Sequence, residues 1–141
     1  MKLTMMQRVE AADRFVASWA GKPMVWGESD CACGAAAMVE ELTGTKPVKV
    51  WPKYNTPAGA LKAIKRMKAD SLIDLVTRKL ELIEPGRTGA VGDIIGLKSA
   101  DDGDWPSLAV DLGHGAVLAI SDGYWRREIP MHKTGQRWGV R

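Results

Sequence analysis

PMVWGESDCACGAAAMVEELTG, residues 23–44, carries both cysteines of the chain, two positions apart, where an apolar helical run begins. Ser29 and Asp30 are residue types that accept hydrogen bonds from the free amides of a helix start. Gly44 suits the left-handed position that ends one. Between them Cys31, Ala35, Met38 and Leu42 recur at three and four positions and share one face, with Glu40 and Glu41 on the wet side. A helix starting at Ser29 or Asp30 turns its two thiols about 200° apart, so they neither bridge one another nor chelate one ion. Two histidines, His114 and His132, have no metal-like spacing with them. No metal and no cofactor is expected. Cys33 is read as core. For Cys31 two readings stand: a small buried hydrophobe, or a thiol at a helix N-terminus, where free amides favour the thiolate.

Upstream, Leu3, Met6, Val9, Ala12, Val16 and Trp19 space out a first helix, with Thr4 as its cap and Gly21-Lys22-Pro23 as its end. Downstream, Thr56-Pro57 opens a third helix running to about Lys68, and SLIDLVTRKLELI, residues 71–83, reads as a fourth. After Pro85 the pattern changes to short strands: VGDIIGLK, SLAVDLG, HGAVLAIS, YWRREIPM and RWGVR. Asp122-Gly123 is a hairpin turn between two of them. Helices first and an antiparallel sheet afterwards make an α+β fold. His114 is read as the first residue of an apolar strand row, His114, Ala116, Leu118 and Ile120. From there it is the candidate general base for a Cys31 nucleophile.

The chain has 141 residues, 45% apolar and 26% charged, with a net charge of +3. These values fit one folded domain and argue against disorder. Residues 1–20 carry Arg8, Glu10, Asp13 and Arg14, which interrupt any signal-peptide core, and no apolar run of about 18 residues exists. The expectation is synthesis in a cytoplasm without a signal peptide, and no membrane span. Seven basic residues and no acidic one lie between Thr45 and Lys68. They read either as a solvated face or as a docking surface for something anionic. Trp51 and Tyr54 are interleaved with them, but no nucleic-acid motif accompanies them, so nucleic acid is disfavoured. SADDGDW, residues 99–105, reads as an exposed acidic loop. Trp19 and Trp26 are expected in the core, and Trp51, Trp105 and Trp125 at interfaces.

Four features in this order resemble the NlpC-type branch of papain-like cysteine peptidases: the aromatic-Gly turn Trp26-Gly27, Asp30-Cys31 opening a helix, Gly92-Asp93 beginning a strand, and GHGAVLAISDG. In that family a Gly-Asp pair begins the first core strand and a His begins the next. The short length, the Thr-Gly after the cysteine helix and RWGVR near the end resemble the small version carried in bacteriophage tail gene clusters. The resemblance implies a papain-like fold spanning residues 1–141 with a helical insertion at about 45–84. It implies Cys31 as nucleophile and His114 as base, with Trp26, Gly27, Asp30 and Asp93 supporting the motif. The family also places a third polar residue on the strand after the His strand, and here Glu128 is the candidate to orient the imidazole. The implied activity is hydrolysis of peptide bonds in peptidoglycan by a tail-tip protein of the virion. Its partners would be other tail-tip or hub proteins. The alternative is a weakly active or inactive structural component of the same tip.

Overall fold

The computed structural model describes residues 2–97, 107–130 and 134–141. Four helices come first: α1 (Met5–Trp19), α2 (Cys31–Thr43), α3 (Pro57–Arg66) and α4 (Leu72–Lys79). Six strands follow: β1 (Glu81–Ile83), β2 (Ile94–Leu97), β3 (Ser107–Gly113), β4 (Ala116–Ser121), β5 (Tyr124–Glu128) and β6 (Thr134–Gly139). The strands form one antiparallel sheet in the order β1-β6-β2-β3-β4-β5. This is the expected α+β arrangement. No helix among the described residues is long and apolar enough to cross a membrane.

Local chemistry sets the helix ends. Thr4 and Gln7 form a reciprocal capping box on α1. Asp30 accepts from the Cys33 amide at the start of α2, and Gly44 ends that helix at φ +76. Thr56 caps α3 just before Pro57, and Ser71 caps α4. The fourth helix is shorter than its sequence pattern. It stops at Lys79, and residues 81–83 pair with β6 as an edge strand, so the segment expected as a purely helical insertion ends in the sheet.

Strand alternation sorts the sheet into two faces. Ile94, Leu108, Val110, Leu118, Trp125 and Trp138 face the helices and pack with Phe15, Met38, Leu42, Ile64 and Leu72 in one core. Ile95, Ala109, Val117 and Ala119 make a small cluster on the other face. Trp125, expected at an interface, is fully buried. Its ring lies edge-on to Phe15 at 6.0 Å and to Trp19 at 5.4 Å, and its indole N–H donates to the Ser29 carbonyl at 2.8 Å. Gly34 lets α2 lie against that ring, because a Cβ there would overlap it. Trp105 and the 99–105 loop lie outside the described residues.

The face of α1 also differs from its apolar spacing. The buried residues are Arg8, Ala11, Ala12 and Phe15, whereas Met6 and Val9 are exposed. Arg8 turns the helix this way because its guanidinium donates to the Val91 and Val140 carbonyls. Burying it with those acceptors satisfies its donors.

Candidate functional site

Asp30 is the organising residue of the cysteine turn. Its buried carboxylate accepts from the Gly27 amide at 2.9 Å, from the Cys33 amide at 2.9 Å and from the Tyr54 hydroxyl at 2.5 Å. Gly27 sits at φ +82, and a Cβ there would overlap the Tyr54 carbonyl oxygen. The segment around Tyr54 is therefore laid directly on the turn. Ser29 completes it, accepting from the Val25 amide and donating to the Pro23 carbonyl. Trp26 is half-buried and, with Trp51 and Tyr54, lines the small apolar space beside Cys31.

Cys31 occupies the first turn of α2 but belongs to the core, with 8% of its surface exposed. Burial pushes its thiol up to about 11, and the Asp30 charge adds to this; backbone hydrogen bonds from Leu108, Ala32 and its own amide act the other way without reversing it. Cys33, expected in the core, is the less buried of the two. Its sulfur lies 4.0 Å from the Tyr54 hydroxyl, and burial followed by the Asp30 charge pushes it up to about 12. Cys33 turns away from the buried face of α2, as the spacing requires, but meets the strap (residues 45–56) at Tyr54 rather than the core.

His114 does not meet Cys31. Gly113, His114 and Gly115 all have positive φ (+87, +55 and +78) and form the turn joining β3 to β4, with Gly113 opposite Ala116. His114 is exposed there, outside both strands. The Leu108 backbone, near the other end of β3, is the strand position that acts on the Cys31 thiol. Six residues of strand at about 3.3 Å each separate Leu108 from His114 by roughly 20 Å. Flanking glycines are the sequence signal for such a turn, so His114 belongs to the turn and not to the apolar strand row. The first strand after the Gly92-Asp93 strand is β3, and its first residue is Ser107, next to Leu108. The position at which the resemblance calls for a histidine thus holds a serine. His132 lies outside the described residues.

Glu128 lies on β5 opposite Val117, with β4 between it and β3, and supports no imidazole beside Cys31. Asp93 is fully buried and acts as a structural anion. It accepts from the Ala90 amide at 2.8 Å, from Arg137 at 2.8 Å and from Arg141 at 2.6 Å. Burial alone would raise its carboxyl, but the hydrogen bonds from Arg141, Ala90 and Arg137 hold it below the usual range. Arg137 also bonds Asp111 at 2.7 Å, whose other oxygen accepts from the Gly113 amide. This cluster, absent from the sequence reading, ties β2, β3 and β6 together at the His114 end of the sheet. Among the described residues no group of three or more His, Cys, Asp or Glu is arranged to hold a metal.

A family described as a domain of unknown function, DUF6950, matches residues 5–140. The chain belongs to this family. No curated protein matches the DUF6950 chain by sequence. Among solved structures it is similar to NlpC2 from Trichomonas vaginalis, with a TM-score of 0.57 at 15% identity. The match covers 99% of this chain and 49% of that one, so the DUF6950 chain spans about half the length of that protein. At this identity the likeness carries the fold, which is papain-like.

Proposed function

We propose that this DUF6950 chain keeps a papain-like fold for assembly rather than hydrolysis, as a structural component of a bacteriophage tail tip or hub. The observation that carries the reading is the separation of Cys31 from His114, with Ser107 opening the strand that passes the thiol. A buried neutral thiol without a base is a packing residue, not a nucleophile. The tail setting rests on the resemblance of the chain's short length, Thr43-Gly44 after the cysteine helix and RWGVR near the end to the small version carried in bacteriophage tail gene clusters.

One observation favours hydrolysis of peptidoglycan peptides instead. Backbone hydrogen bonds from Ala32, Leu108 and Cys31 itself favour the thiolate, as a catalytic helix start requires. Iodoacetamide alkylation of the native protein, read against the unfolded chain across pH, separates the two readings. The assembly reading expects Cys31 to react about a hundredfold more slowly near pH 8 when folded, from a midpoint near 11 against an ordinary 9.0. It also expects no release of peptide fragments from purified peptidoglycan. A folded wild-type midpoint below 8 together with Cys31-dependent fragment release would overturn the proposal.

A further inference from the structure

The seven cations of residues 46–68 are all exposed, and none takes part in an ion pair among the described residues. On α3 and its end they crowd together. Lys62, Lys65, Arg66 and Lys68 lie within seven residues at and just beyond the end of α3, a span of about 9 Å at helical rise. Lys62 and Lys65, and Lys62 and Arg66, are neighbours at three and four positions on the helix, where like charges repel and destabilise it. The α3 start carries no acid to offset them. Lys68 adds a second local cost, because it sits at φ +62, where glycine is the unstrained residue. Lys65 and Arg66 lie in the last turn, where the helix dipole favours cations, but the crowding beyond them and the strained backbone at Lys68 serve no such purpose.

Apolar groups stand among these charges. Leu61 is 48% exposed on the same helix, and Val50 is 81% exposed on the strap. Beside the strap an apolar socket of about 40 Å³ opens between Val48, Trp51, Leu75 and Val76, with Lys79 at its lining. Cations interspersed with exposed aliphatic side chains match a protein segment that alternates carboxylates with apolar residues. A nucleic acid would leave Leu61 and Val50 without a counterpart.

We propose that the strap and α3 dock an acidic amphipathic segment of a partner protein, its carboxylates on Lys62, Lys65, Arg66 and Lys68 and an apolar side chain on Leu61. The proposal deepens the assembly reading and rests on it for biological context. Its test does not involve Cys31, so the two fail separately.

The probe is a fluorescein-labelled 16-residue peptide of Glu-Glu-Leu-Leu repeats, titrated with the full chain by fluorescence anisotropy. Poly-L-glutamate and a 16-base-pair DNA duplex are the competitors. Binding should weaken several-fold between 50 and 200 mM NaCl. The Lys62→Glu, Lys65→Glu, Lys68→Glu variant should lose at least tenfold in affinity. The three Lys→Gln changes should give a smaller loss in the same direction, with circular dichroism verifying the helices in both. Leu61→Ser should weaken the Leu-containing peptide and leave poly-L-glutamate unchanged. Lys68→Gly should raise the melting temperature while weakening the peptide. Unchanged affinity in both charge variants overturns the proposal. So does displacement of the peptide by DNA more readily than by poly-L-glutamate, with Leu61→Ser silent, since that marks a nucleic-acid surface.

Discussion

Replacing Asp30 by alanine breaks three hydrogen bonds at once. The Cys33 amide loses its helix cap, a change worth about 1 kcal/mol. The Tyr54 hydroxyl, 2.5 Å from the carboxylate, loses a charge-assisted bond worth about 1.5–3 kcal/mol. The Gly27 amide, held at 2.9 Å, is left without its acceptor for roughly a further 1 kcal/mol. Because the three share one carboxylate they do not add fully, and a net loss of about 3–4 kcal/mol is expected. With a urea slope of about 2 kcal/mol per molar, the unfolding midpoint falls by roughly 1.5–2 M. Asp30→Asn keeps one acceptor oxygen for the Cys33 amide and should lose about half as much. It should also bring the Cys33 and Tyr54 midpoints down, because the Asp30 charge is the second largest cause that raises Cys33 and a cause that raises Tyr54. Urea unfolding followed by tryptophan fluorescence reads the first effect, and alkylation of Cys33 against pH reads the second. An Asp30→Ala loss below about 1 kcal/mol would refute the role of Asp30 as the clamp between turn, helix and strap.

Cys31 also gives stability an alkaline limit. Its proton leaves near 9 in the unfolded chain and near 11 in the folded one, so the unfolded state is deprotonated first and stability falls between those values, by about 3 kcal/mol when the transit is complete. Cys31→Ala should flatten that part of a stability-against-pH curve measured by urea titration, and an unchanged slope would contradict the burial assigned to the thiol. Gly34→Ala should destabilise by about 1–2 kcal/mol in thermal or urea unfolding. Overlap with the Trp125 ring, held between Phe15 and Trp19, outweighs the gain in helix propensity of roughly 1 kcal/mol. A more stable variant would mean the ring can shift.

What the sequence disclosed was governed by local chemistry. Asp30 and Gly44 announce both ends of α2, Thr56-Pro57 announces α3, and the Asp122-Gly123 turn, with φ of +52 and +83, is the hairpin its residues demand. Cys31, Ala35, Met38 and Leu42 are buried together as their spacing requires. The misreadings arise where a distant partner overrides a local pattern. Arg8 is buried because carbonyls of residues 91 and 140 receive it. Trp125 is core because α1 and Gly34 make room for its ring. His114 shows the reverse: Gly113 and Gly115 are a turn signal as local as Asp122-Gly123, and the apolar strand that follows masks it. Which end of β3 runs past the cysteine helix was out of reach without strand register, since nothing in SLAVDLG marks it.

The strand order has a consequence for how the chain is made. β2 to β5 form a meander in which each strand pairs with the one just synthesised, so that part of the sheet can assemble in step with translation. β6 is the exception. It enters between β1 and β2, two strands completed some forty to fifty residues earlier, and brings Trp138 into the core and Arg137 to Asp93. Until it leaves the ribosome, the inner edge of β2 stays unpaired and the buried anion lacks both of its arginines, Arg137 and Arg141. A nascent chain stalled before residue 134 therefore presents an open sheet edge, which is the stage of biogenesis most exposed to aggregation and to capture by chaperones.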